Sequence, residues 1–182
     1  MDLLFLLAIV TVAIVLLFDY TNGFHDAANI VATVIASRAM TPAQAVVIVG
    51  VFEFLGPLLG GTAVADTIGG FVRMDDVAPL LSLSILLCGL IGAIAWNLAT
   101  WYFGIPSSSS HALVGGLIGA AMAHSGPSSL ITAGVVKVVA FILISPLLGM
   151  LLGSLMMIAV SWVFRRSTPR RVDTWSRRLQ LF

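Results

Sequence analysis

Of 182 residues, 59% are hydrophobic and only 9% are charged. A soluble domain carries roughly 25% charged residues, so a water-soluble globule is excluded, and the lack of period-two alternation excludes a β-barrel. A net charge of +1 does not suggest global steering of an anionic partner, but six of the eight arginines crowd between Arg165 and Arg178.

The composition and the long apolar runs indicate an all-α polytopic membrane protein of the cell membrane. The first predicted span covers about residues 3–36. Asp2 is its only early charge, and no small-residue cleavage site follows, so it reads as a true span and not a signal peptide. The stretch "SRAMTP" (37–42) is a turn, with Pro42 suited to the first turn of the next helix. Span two covers about 43–64 and holds Glu53 and Pro57; a glycine-containing polar loop (65–79) leads to span three, about 80–101. The lone Cys88 lies in an apolar run and reads as core packing.

Residues 103–127 differ in kind. Their apolar part, Ala112 to His124, is about 13 residues, short for a crossing and suited to a re-entrant helical hairpin. Residues 130–164 would make about 50 Å of helix. They form either one long kinked helix or two segments meeting at Ser145–Pro146. Residues 165–182 read as a basic cytoplasmic linker, because arginines beside a span mark that side. The adjoining span argues against nucleic acid as the partner of this cluster.

Two polar constellations interrupt the apolar background. In "FDYTNGFHDAAN" (18–29), Asn22, Asp26, Asn29 and, beyond it, Thr33 fall within a wedge of about 60° on a helix, with Asp19 and His25 beside it. Ionisable groups inside a bilayer are costly and are functional candidates by default. Carboxylate and amide oxygens suit a hard cation, and His25 suits a coupling proton, since imidazole titrates near physiological pH. Gly23 is a point at which the helix is expected to be able to open and expose carbonyls. The bland reading is a hydrogen-bond cluster between helices.

The second constellation is "GIPSSSSHA" (104–112). Pro106 favours a turn and serines cap helices. A helix starting there aims N–H groups and hydroxyls at one spot, a natural anion site for which phosphate is a natural occupant. The bland reading is a capped turn with spare hydroxyls. A Walker loop is excluded, because no Gly-Lys-Ser/Thr ending is present. Glu53 is a further cation or proton candidate, equally able to pair with another helix. Asn97 and Thr100 either line the same cavity or join helices, and Lys137 reads as a snorkelling residue. The small residues at 115–123 favour close helix packing.

Together, "GFHDAAN" (23–29) and "PSSSSHALVGG" (106–116) resemble the two motifs of the inorganic phosphate transporter (Pit) family, in its bacterial low-affinity branch. The first matches that family's Gly-x-Asn-Asp-x-Ala-Asn signature at Gly23, Asp26, Ala28 and Asn29, with His25 replacing the usual asparagine. The resemblance implies phosphate symport driven by H⁺ or Na⁺, with phosphate carried alone or as a neutral complex with a divalent metal, and no resident cofactor. On that reading Asp26 and Asn29 hold the cation or metal–phosphate. Ser107, Ser108, Ser109, Ser110 and His111 cradle phosphate, and Asn22, His25, Asp26 and Glu53 serve coupling.

Members of the family have two inverted halves, each with a signature and a hairpin, and this chain carries one of each. The resemblance therefore implies the N-terminal half of an inverted-repeat transporter, needing a complementary C-terminal half. A homo-oligomeric carrier is disfavoured, because the arginine cluster opposes insertion of half the copies upside down. Two other readings stand beside this one: a non-transporting membrane assembly subunit, and an intramembrane serine hydrolase. The adjacent Ser110 and His111 point about 100° apart on a helix, which makes that pair a poor dyad, although His25 and His124 remain as partners.

Overall fold

The computed structural model describes residues 2–61, 70, 72 and 77–179, and these are helical, with turns and an isolated antiparallel bridge, Val72 to Leu130, between. In chain order the helices are α1 (Leu3–Ala36), α2 (Pro42–Gly60), α3 (Pro79–Phe103), α4 (Ser109–Ser125), α5 (Thr132–Phe164) and α6 (Pro169–Leu179). A 3-10 turn, Pro127–Ser129, joins α4 to α5. Four of these, α1, α2, α3 and α5, are long and apolar enough to cross a bilayer.

Helix α1 passes through the polar cluster without a break. The opening expected at Gly23 does not occur. A mid-helix glycine costs only about 1 kcal/mol against alanine, whereas unwound backbone must find new hydrogen-bond partners. Helix α2 starts at Pro42, where Thr41 and Gln44 form a reciprocal cap: Thr41 N–H donates to Gln44 Oε1 at 3.1 Å, and Gln44 N–H donates to Thr41 Oγ1 at 3.3 Å. It ends at Gly60, and residues 62–64 of the expected second span lie outside the described residues. Helix α5 continues through Pro146 as one element. At 1.5 Å per residue it is about 50 Å long. Residues 165–182, read as a linker, contain helix α6.

The chain divides into two compact units, Met1–Ala28 with Gly61–Val135, and Asn29–Gly60 with Val136–Phe182. The first holds the buried core. Phe18 of α1 packs with Leu90, Ala93 and Ile94 of α3, and Ala112 and Leu113 of α4 join them. Helices α3 and α4 meet at glycines: a Cβ at Gly116 would collide with the Gly89 carbonyl oxygen, and one at Gly89 would lie 2.8 Å from Leu117 Cδ2. Small residues thus bring two backbones together, the usual device where lipid supplies no hydrophobic drive between helices. In the second unit, α2 buries only Ala45, and α5 buries nothing. Their exposed leucines, valines and phenylalanines suit hydrocarbon surroundings.

Candidate functional site

The site lies within the first unit, where α3 ends and α4 begins. Helix α3 stops at Gly104, whose φ of 65° is the left-handed conformation a Cβ disfavours. The cap returns its N–H to Thr100 O and Trp101 O, and Ile105 N–H donates to Thr100 O at 2.8 Å. This tight return brings Ser107 back alongside Thr100.

Thr100 is buried and crowded with oxygens. Its Oγ1 lies 2.8 Å from Trp96 O, 3.1 Å from Asn97 O, 3.0 Å from Ser107 Oγ and 3.5 Å from His25 Nε2. Carbonyls only accept, so the single Thr100 proton belongs to them. Ser107 then donates to Thr100, and the His25 contact is favourable when Nε2 carries a hydrogen. In a neutral ring that leaves Nδ1 as a bare acceptor. Nδ1 is buried without a hydrogen-bond partner among the described residues and faces Asp26 Oδ1 at 3.5 Å. A proton on Nδ1 converts two facing lone pairs into an ion pair. The His25 side chain is 7% exposed and that of Asp26 41%, so Asp26 connects a buried ring to open surroundings.

The row Asp26–His25–Thr100–Ser107 therefore joins the two sequence constellations. Phe24 on Trp101, edge to face at 5.4 Å between ring centroids, holds α1 against α3 beside it. Helix α4 starts with Ser108 as N-cap, its Oγ accepting from His111 N–H at 3.4 Å. The first N–H groups of the helix lie outside its own ladder. They open near a cavity of about 510 Å³ lined by Gly92, Trp96, Ser107, Ser108, His111 and Gly115, among others. Ser109 is 2% exposed and Asn97 0%. Ser109 Oγ and both amide atoms of Asn97 have no hydrogen-bond partner among the described residues.

Not every expected residue is gathered here. Ser110 and His111 are exposed, with His111 on the cavity wall. Asn22 is half-buried, and Asn29 and Thr33 are exposed. Of the cluster on α1, His25 is the residue that reaches the serine turn, through Thr100. It continues the buried series Thr11, Phe18 and Thr21 along α1. Glu53 belongs to the second unit, in a recess of about 370 Å³ lined by Ile30, Val49, Phe52, Gly56 and Pro57. Lys137 is exposed. Trp96, on the cavity wall, was not singled out by the sequence; its place one helical turn before Thr100 was the available signal. Among the described residues, no three His, Cys, Asp or Glu side chains converge as a metal cage.

Residues 22–180 match the phosphate transporter family. The chain belongs to that family. It is 44% identical over 179 residues to a probable low-affinity inorganic phosphate transporter of Rhizobium meliloti, covering 98% of this chain and 52% of the relative. A Streptomyces halstedii protein of the same description is 46% identical over 167 residues, covering 90% and 76%. The low-affinity inorganic phosphate transporter PitA of Escherichia coli is 42% identical over 154 residues, covering 80% and 31%. Among solved structures, a sodium-dependent phosphate transporter superposes with a TM-score of 0.84 at 30% identity, over 91% of this chain and 42% of that one. The chain thus spans about half the length of the Rhizobium relative and less of the solved structure. The family and these relatives are transporters, not enzymes, and the chain is a multi-pass membrane protein.

Proposed function

We propose that this chain supplies one half of a pathway for inorganic phosphate, carried inward by symport with H⁺ or Na⁺. The observation that carries the reading is the row Asp26–His25–Thr100–Ser107. It links an ionisable pair on one helix to the hydroxyl-rich start of another. Phosphate oxygens accept from the first N–H groups of α4 and from the hydroxyls of Ser108 to Ser110, and Ser107 joins them by turning its one proton from Thr100 to the anion, with no fixed cation to hold it too tightly. A cation at Asp26 and Asn29, or a proton between His25 and Asp26, offsets the anion's charge. Because Ser107 touches Thr100 and Thr100 touches His25, occupancy of the anion site and the state of the imidazole share a hydroxyl. Asn29 and Thr33, exposed on this chain, face a complementary second half that completes the site.

The test is uptake of labelled phosphate in cells lacking their own carriers, with the chain expressed beside or joined to a complementary half. Asp26→Ala and Ser107→Ala should each lower uptake at least tenfold at equal membrane abundance. Undiminished uptake in both would remove the assignment. Proton drive predicts slower uptake in alkaline medium, and sodium drive predicts loss on Na⁺ removal. Dependence on added Mg²⁺ would identify the metal–phosphate complex as the cargo.

A further inference from the structure

Helix α6, Pro169–Leu179, plays no part in the site above. Its sequence, PRRVDTWSRRL, is sharply two-sided. At 100° per residue, positions 172, 175 and 179 (Val, Trp, Leu) fall within a wedge of about 60°, and the arginine positions lie outside it. Trp175 is 47% exposed, and Arg170 and Arg171 are exposed with no carboxylate partner among the described residues. Arg177 is paired with Asp173, one turn away, at 3.1 Å.

The position of this helix says what covers its apolar side. Helix α5, apolar and without a buried residue, ends at Phe164, and only Arg165 to Thr168 separate it from α6. Four residues reach at most about 14 Å, so α6 begins at the level where the span leaves the hydrocarbon. That level is marked independently. Trp162 is exposed, and the Arg165 guanidinium lies 4.9 Å from its ring centroid. Tryptophan and arginine at the end of a span are interfacial anchors. From Arg165 to Leu179 the chain has six arginines against one aspartate. An apolar stripe under a cationic face, held at headgroup height, is the pattern of a helix lying in the membrane surface.

We propose that α6 docks on the anionic phospholipid surface of the bilayer that α5 crosses, seating Val172 and Trp175 at the acyl boundary while Arg170 and Arg171 bind headgroup phosphates. The surface helix then fixes the depth and rotation of the end of α5. The proposal does not depend on the phosphate-transport reading and is tested without measuring uptake.

The full chain, with Cys88→Ala, is reconstituted into bilayers of phosphatidylcholine alone or mixed with phosphatidylglycerol. A nitroxide is attached in separate preparations through Val172→Cys or Thr174→Cys, and its collisions with oxygen and with a water-soluble nickel chelate are measured. In the anionic bilayer the label at position 172 should meet oxygen several-fold more than nickel, and the label at 174 the reverse. In phosphatidylcholine alone the contrast should collapse. Arg170→Gln or Arg171→Gln should each lower the docked-to-undocked ratio about five-fold, and high salt should act in the same direction. A label at 172 open to nickel in both bilayers overturns the proposal. So does one shielded from both reagents, which indicates a protein partner, or one equally lipid-exposed in both bilayers, which removes the need for anionic lipid.

Discussion

Thr100 is the residue on which the site turns. Its hydroxyl stands between His25 and Ser107, and its proton is committed to backbone carbonyls. Thr100→Val keeps the shape and deletes the oxygen. It should strip buried partners from both neighbours at a cost of about 1–3 kcal/mol. We expect a lower thermal midpoint for the purified protein and at least a tenfold fall in phosphate uptake, with Thr100→Ser restoring both. A valine variant with normal uptake would show that the row is structural. Asn97 makes the opposite case. Its fully buried amide has no hydrogen-bond partner among the described residues, and replacing such a group by an apolar one of similar shape is neutral or stabilising. Asn97→Leu should therefore keep or raise the midpoint while lowering uptake, and a clear loss of stability would reveal a structural partner for the amide.

At the scale of elements, the contact of α3 with α4 decides where the serine turn sits. Gly116 lies against the Gly89 carbonyl, whereas a Cβ at Gly119 meets nothing within 4 Å. Gly116→Leu should force the helices apart at a cost of about 1–3 kcal/mol or more, seen as a fall in the thermal midpoint. Gly119→Ala on the same helix should be neutral or slightly stabilising, through helix propensity. Equal effects of the two changes would mean that this contact does not hold the pair. The close approach was foreshadowed by the small residues at 115–123, but the choice of Gly116 was not. Glycines 115, 116 and 119 look alike in the sequence, and only the crossing of the helices selects one. Helix α6 is an element that the sequence analysis did not draw out. Its density of arginine read as a basic cytoplasmic linker, and the spacing of Val172, Trp175 and Leu179 was already that of an amphipathic helix.

At the scale of the whole molecule, the bias of arginine towards the cytoplasmic side predicts that the cluster after α5 sets orientation. Replacing Arg165, Arg166, Arg170 and Arg171 together by Gln should produce a mixed population in which some copies present residue 179 on the opposite side. Accessibility of the thiol in Thr174→Cys, in the Cys88→Ala background, to an impermeant reagent in intact cells measures that fraction. A single unchanged orientation would mean that other charges govern topology. The sequence by itself determined the all-helical membrane class, the apolar spans and both motifs, because a bilayer demands long apolar helices and because buried polar groups stand out against them. The tertiary structure alone decided that His25 reaches the serine turn through Thr100, and that residues 132–164 form one helix. The reason is physical. In lipid every face of an apolar helix is acceptable, so periodicity does not name the face that a neighbour will cover. That choice was made where Phe18 and Thr21 became buried and Phe24 met Trp101.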